Sequence, residues 1–387
     1  MLHTLAVSNY RSLRQFVAPL GQLTLITGPN GSGKSNVYRA LRLLAETARG
    51  GLVASLAKEG GFASTLWAGP ESFSAAVKRG EQPVQGTRKV EPQALRLGFR
   101  GDDFSYAIDL GLPFPSASAF CGDPEIKTEV IWHGEHLRPA SQLVERRNAV
   151  ARIRRENGEW DLITSRLQPF ESMMDLIADP QRAAEVVALR DQIRTWRFYD
   201  HFRTDAEAPA RQLQIGTYTP VLSHDGRDLA AALQTIVEIG DAAALRTAIA
   251  DAFPGARLKI EASDGRFSVS MHQHGLLRPL SAAELSDGTL RYLLWIAAML
   301  TPRPPHLMVL NEPESSLHPD LLPALARLVG VAAKYTQIFV VSHASRLIAA
   351  LKENAACLSI ELDKQLSETQ ILGQGTLDAP SWRWLSR

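Results

Sequence analysis

The sequence predicts an α/β fold built around a phosphate-binding loop, on three observations. The stretch Gly28-Pro29-Asn30-Gly31-Ser32-Gly33-Lys34-Ser35 fits G-x-x-x-x-G-K-[ST], an apolar run from Leu23 to Ile26 enters it, and a helix-patterned run from Asn36 to Thr47 leaves it. Strand, loop and helix in that order are what the chemistry needs. Glycines let the backbone curl so that successive N–H groups face one anion, and the helix adds its positive N-terminal end. Lys34 supplies a point charge and Ser35 a hydroxyl for Mg²⁺, so the ligand these residues suit is a nucleoside triphosphate.

The chain's 387 residues, 45% hydrophobic and 21% charged, allow a large core divided between two domains or the lobes of one. A net charge of +1 excludes a uniformly basic nucleic-acid binder. Cys121 and Cys357 are isolated and lack CxxC spacing, which argues against a disulfide framework or a zinc site and for a reducing cytoplasm. The longest apolar run, Leu293 to Leu300, is too short to cross a bilayer, and the N-terminus does not read as a signal peptide, so no membrane is expected.

In chain order, residues 2–8 and 22–27 read as two buried strands ahead of the loop, with Asn9-Tyr10-Arg11-Ser12 between them. Arg11 and Arg14 either reach the nucleotide or face solvent. From about 63 to 165 short strands predict an antiparallel sheet: Gln93–Arg100 with Phe104–Leu110 about Gly-Asp-Asp, and Val150–Glu156 with Glu159–Thr164 about Asn157-Gly158. Arg146, Arg147, Arg152, Arg154 and Arg155 read as a solvated hairpin face or as a phosphate-binding ridge, without the interleaved aromatics that stacking on bases would need. Arg182–Thr195, Leu229–Ile239 and Ala242–Phe253 carry helical patterns. Trp196 to Asp205 reads as a polar loop whose Asp200, His201 and Asp205 resemble metal ligands in type but not in spacing. Arg257–Ala262 and Phe267–His272 flank Asp264-Gly265 as a further hairpin.

Three later stretches complete the chemistry. Leu285-Ser286-Asp287-Gly288-Thr289-Leu290-Arg291 opens a helical run to about Leu300, and its Ser286 and Gly288 suit either a second anion site or an ordinary N-cap and turn. The strand His306–Leu310 ends in Asn311-Glu312-Pro313-Glu314, which makes Glu312 a candidate general base, with Glu314, Ser315 and Asp320 readable as helix-capping residues. Thr336–Val341 is a second buried strand, and it ends in Ser342-His343, an imidazole suited to a γ-phosphate or an attacking water.

Phosphate loop, Leu-Ser-Asp-Gly-Thr, acidic strand end and strand-end histidine, in that order, resemble an ABC-type ATPase head. More narrowly, the chain resembles the RecF/SMC-like bacterial predicted ATPases of the AAA family, related to the ATPase part of overcoming-lysogenization-defect nucleases. The likeness extends through Asn9 to Ser12, Trp196 to Asp205 and Asp225-Gly226. It implies an α/β P-loop NTPase, a bilobed ABC-type head with a mixed core sheet, an antiparallel β subdomain and a helical signature-bearing lobe. The approximate divisions are 1–165, 166–300 and 301–387.

By position, the resemblance makes Gly28 to Ser35 the Walker A loop, Leu285 to Thr289 the signature and Leu307 to Glu312 the Walker B strand. Leu317 to Asp320 becomes the D-loop and His343 the switch histidine. It implies ATP and Mg²⁺ as cofactors. The nucleotide would be held by Gly28, Pro29, Asn30, Gly31, Ser32, Gly33, Lys34, Ser35 and Asn36, with Ser286 and Gly288 acting from the other protomer of a head-to-tail homodimer. Glu312, His343 and Lys34 would be catalytic, and Ser35 and Asn311 would hold the metal.

The implied role is an ATP-driven dimer acting as a switch on DNA or on an effector protein, in DNA maintenance or defence against mobile elements. Its alternatives are an ATP-binding module with little hydrolysis and, less favoured by the long separation of Lys34 from Ser286, a transporter subunit. Two departures stand out. Asn311 occupies the place of the usual Walker B aspartate, a weaker and uncharged metal partner that implies slow turnover, and the glutamine such heads bring to Mg²⁺ is not located. Nothing after Glu361 supplies the acidic cluster of a two-metal nuclease. Trp382-Arg383-Trp384 either packs back on the core or docks a partner.

Overall fold

A computed structural model describes residues 1–70, 77, 79, 94–115, 117–375 and 378–386. The chain forms two compact units, one of Met1–Leu20, Gly28–Thr195 and Ile360–Arg387, the other of Gly21–Thr27 and Trp196–Ser359. Among the described residues no helix is long and apolar enough to cross a membrane.

Three strands, not two, precede the loop: β1 (Leu2–Tyr10), β2 (Leu13–Pro19) and β3 (Leu23–Thr27). The first two pair antiparallel through a turn in which Asn9 and Arg11 take positive φ, 65° and 49°. The first unit is built on an antiparallel sheet that continues through β4 (Ala94–Gly101), β5 (Ser105–Gly111), β6 (Glu125–Trp132), β7 (Gln142–Arg147), β8 (Val150–Arg154) and β9 (Trp160–Thr164). Its strand order is β2-β1-β4-β5-β6-β7-β8-β9. The Asn157-Gly158 turn falls where the sequence predicts, with Gly158 at φ 86°. Gln93, predicted to start β4, lies outside the described residues. The helix Lys34–Thr47 packs on β1 and β4, burying Val37, Tyr38, Leu41, Leu44 and Ala45 along one face at helical spacing.

The five arginines of 146–155 do not form one ridge. Arg146 is fully buried against Glu129, Arg154 donates to the Pro139 carbonyl, Arg155 pairs with Asp161 at 2.6 Å, and Arg147 is close to Glu145 at 3.5 Å. Strand alternation explains the split: on β7 and β8, Arg146, Ala151 and Ile153 point inward and Arg152 outward. Arg11 and Arg14 are likewise taken up by protein carboxylates, Glu59 at 2.7 Å and Glu368 at 3.0 Å. Trp382 packs back on its own unit, its ring 5.6 Å from that of Trp132 and filling the space a side chain on Gly98 would need.

In the second unit, β10 (Arg197–Tyr199), β15 (Leu307–Asn311), β16 (Gln337–Val341) and β3 lie side by side in that order, all parallel. β3, β16 and residues 307–310 of β15 are buried without a break, the pattern of strands covered on both faces. Helices Leu229–Ile239, Asp287–Met299, Leu322–Ala332 and Ser345–Lys352 share one apolar core with them. A small antiparallel sheet joins β11 (Gln214–Ile215), β12 (Arg257–Ser263), β13 (Arg266–His272) and β14 (Leu280–Ser281), with the predicted turn at Asp264-Gly265.

The stretch Trp196 to Asp205 departs from the polar-loop reading. Its first part is β10, and Tyr199 and Phe202 are buried against Trp295, with ring centroids 6.2 and 4.9 Å away. Apolar burial outweighs its polar content: Arg197 and Asp200 are half-buried, His201 is exposed, and Asp205 pairs with Arg203 at the surface. Among the described residues no group of three metal-ligating side chains occurs. The C-terminal part holds an unpredicted hairpin, β17 (Cys357–Gln365) and β18 (Glu368–Ile371), turning at Leu366 and Ser367 with φ 48° and 69°.

Candidate functional site

Strand β3 runs directly into the phosphate loop at Gly28. The loop curls through Gly28, Gly31 and Gly33 at φ 141°, 81° and 105°, where only glycine is comfortable. A Cβ on Gly28 would lie 2.3 Å from the Leu362 carbonyl oxygen, and one on Gly33 2.0 Å from Thr369 Oγ1, so both positions exclude any side chain. Among the described residues no acceptor takes the N–H of Gly31, Gly33, Lys34 or Ser35, whereas Ser32 donates to Pro29 and Asn36 to Gly33. Unclaimed N–H groups at a helix N-terminus are the parts of an anion site.

Lys34 is buried, and its Nζ donates to the carbonyls of Gly28 (2.7 Å) and Pro29 (3.0 Å). It lies folded on its own loop. Pro29, Asn30 and Ser35 are exposed, Asn36 is half-buried, and Ser32 is buried with a hydroxyl that has no partner. These donors and the glycine cradle fit a polyphosphate.

The second unit gathers the acidic residues. β15 and β16 are in register with Asn311 opposite Val341, so Asn311-Glu312 and Ser342-His343 emerge from neighbouring strand ends. Glu312 takes φ 48°, held by its N–H to Val341 O (2.8 Å) and by Ser315 N–H to its own carbonyl (3.0 Å). This backbone is costly for a side-chain-bearing residue and presents the carboxylate at the strand tip, about two-fifths exposed. His343 Nδ1 lies 3.6 Å from both Glu312 Oε1 and Glu314 Oε1.

Glu314 is not a helix cap. Its Oε1 accepts from Ser342 Oγ (2.7 Å), His343 N (2.9 Å) and Ala344 N (3.2 Å), tying the acidic loop to the histidine loop. Its Oε2, like Asn311 Oδ1, is buried without a partner. Nothing in the spacing of Glu314 after Glu312 signals that bridge; it exists only because two strands are neighbours.

Ser286 caps the helix Asp287–Met299, its hydroxyl accepting from Thr289 N at 3.1 Å. Ser286 is exposed and Gly288 half-buried, with room for a Cβ only at 3.4 Å from the Ser316 carbonyl. Two arginines brace this helix start. Arg211 donates to the carbonyls of Ala282 and Leu285 and pairs with Asp287 at 2.6 Å. Arg291, buried at 4% exposure, donates to Ser315 O (2.7 Å) and Phe202 O (2.8 Å), and burial lowers its pKa. Just ahead, Arg278 holds the Glu284 carboxyl down at about 2. The second unit thus brings Asn311, Glu312, Glu314 and His343 together and ties the Ser286 helix to the same acidic loop. Gly28 to Asn36 stand in the first unit.

The family described as "AAA domain, putative AbiEii toxin, Type IV TA system" matches residues 23–349. Among curated proteins, the OLD nuclease of Thermus scotoductus is 50% identical over 44 residues, which span 11% of this chain and 8% of that protein's length. Among solved structures, an SMC head bound to the C-winged helix domain of ScpA superposes with a TM-score of 0.49 at 14% identity, covering 98% of this chain and 99% of that one. The SMC head domain from Thermotoga maritima gives a TM-score of 0.43 at 17% identity over 97% and 99%.

Proposed function

Because the chain belongs to the AAA domain family described as putative AbiEii toxin, Type IV TA system, we propose that it is a P-loop ATPase that binds ATP at Gly28 to Asn36 and hydrolyses it. The observation that carries this reading is the buried Lys34, folded onto Gly28 and Pro29 in a loop where, among the described residues, the N–H groups of Gly31, Gly33, Lys34 and Ser35 are unclaimed. Phosphate oxygens replace those two carbonyls as acceptors for the ammonium. Ser35 and Asn311 are the residues to hold Mg²⁺, and the unpartnered, buried Asn311 Oδ1 supports that role. The metal, when bound, neutralises phosphate charge. Glu312 accepts the proton of the attacking water, and His343 steadies that water or the γ-phosphate by a hydrogen bond.

The working form is a cytoplasmic head-to-tail homodimer assembled on ATP, in which Ser286 and Gly288 act across the interface. It serves as a switch on DNA or on an effector protein in DNA maintenance or defence. A second reading, an ATP-bound switch with little turnover, is favoured by the amide at Asn311.

Titration calorimetry on the purified chain tests the binding step. Lys34→Ala weakens MgATP binding roughly 10- to 100-fold, the loss of a charged hydrogen-bond donor, about 1.4–2.8 kcal/mol. Equal affinity in the two proteins would sink the reading. Sedimentation with MgATP checks assembly: Glu312→Gln shifts to a dimer, and a monomer at saturating ATP would rule out action across an interface.

A further inference from the structure

Behind the phosphate loop, a buried line of hydrogen bonds joins three distant parts of the first unit. Asn36 Nδ2 lies 2.7 Å from Ser12 Oγ, Ser12 Oγ 2.7 Å from Thr369 Oγ1, and Thr369 Oγ1 2.7 Å from the Ser32 carbonyl oxygen. Ser12 and Thr369 are both buried, at 8% and 3% exposure. Donor counting gives the line a direction. A carbonyl only accepts, so the single hydroxyl proton of Thr369 goes to Ser32 O. Ser12 must then donate to Thr369, and the Asn36 amide to Ser12.

The line ends on the peptide that precedes Gly33. In a trans peptide the carbonyl and the following N–H point in opposite directions, and none of the described peptides is cis. Holding the Ser32 carbonyl toward Thr369 therefore turns the Gly33 N–H, one of the unclaimed donors, the other way. The same threonine fills the space beside Gly33, 2.0 Å from where a Cβ would sit, while Leu362 O closes on Gly28. Both of these loop glycines thus rest on the β17–β18 hairpin, which is fastened to the β1–β2 turn by Thr369 N–H to Ser12 O (2.9 Å) and to β2 by Glu368 to Arg14 (3.0 Å).

We propose that Thr369, acting with Ser12, is a positioning residue of the nucleotide site, orienting the Ser32–Gly33 peptide so that the Gly33 N–H is presented to a phosphate oxygen. The inference rests on the ATP reading of this loop and makes the C-terminal hairpin a working part of the site. It assigns no chemistry to Thr369.

The test is MgATP affinity of the full chain by calorimetry, with melting curves alongside, for wild type, Lys34→Ala, Thr369→Val, Thr369→Ser and Ser12→Ala. Thr369→Val keeps the shape and removes the donor, so affinity falls roughly 5- to 10-fold, as the loss of one buried hydrogen bond implies. Thr369→Ser restores the hydroxyl and brings affinity back to within about 2-fold of wild type, which a merely structural role in packing the methyl group would not do. Wild type that fails to bind, or binds as Lys34→Ala does, overturns the ATP reading itself. Wild-type binding that depends on Lys34, together with unchanged affinity in folded Thr369→Val, overturns this inference alone. If Thr369→Val does not fold, Ser12→Ala carries the test: weaker binding, roughly 3-fold, upholds the line of donors, and unchanged binding refutes it.

Discussion

Replacing Glu312 with glutamine leaves ATP bound and slows its hydrolysis about 100- to 1,000-fold, the span expected when a positioned general base is lost. Glutamine matches the shape of glutamate, so the backbone bonds of residue 312 to Val341 and Ser315 persist. What disappears is the ability to take a proton. His343, 3.6 Å from the carboxylate, does not replace it, because its own position is set by Glu314 through the backbone of the histidine loop. Phosphate release measured with excess ATP decides the matter: a rate within about 3-fold of wild type would show that Glu312 is not the base.

The second large effect is on stability. Arg146→Ala destabilises the chain by about 3–5 kcal/mol, the cost of leaving a buried carboxylate without its cation. Arg146 and Glu129 both have side chains of zero exposure and meet at 2.9 Å. The guanidinium also donates to the carbonyls of Asn148, Gln168 and Glu171, and Glu129 accepts from Tyr106, Ser172 and Met173. Burial, reinforced by Glu129, raises the Tyr106 pKa well above its ordinary value, so that phenol stays protonated as a donor. Truncating the arginine strands this whole set. Urea denaturation followed by tryptophan fluorescence measures the difference, and a loss below about 1 kcal/mol for Arg146→Ala would contradict it.

These two residues mark the limits of what the sequence alone carries. Glu312 could be picked out because it ends an apolar run, and runs such as 307–310 and 337–341 keep their character when they become parallel strands covered on both faces. The phosphate loop and the hairpins at Asn157-Gly158 and Asp264-Gly265 announce themselves through glycines that positive φ demands. Arg146 was hidden in a run of arginines that reads as a solvated face, because its burial depends on Glu129, seventeen positions away. The turns at Asn9–Arg11 and Leu366–Ser367 put positive φ on Arg11, Leu366 and Ser367, residues that seldom adopt it, so β2 and the β17–β18 hairpin carried no glycine to mark their turns. Thr369 and Glu314 were invisible for the same kind of reason. Their roles lie in contacts between separate segments, which residue spacing does not encode.

The most direct test is ATP turnover by the purified chain, with and without duplex DNA, beside Lys34→Ala and Glu312→Gln. Wild type is expected to release phosphate in a Mg²⁺-dependent way that both substitutions abolish, with a rise on adding DNA identifying DNA as what the switch acts on and indifference to DNA identifying an effector protein. Phosphate release that survives in either variant at the wild-type rate, or is absent from wild type, would contradict the assignment of this chain as an ATPase working through Lys34 and Glu312.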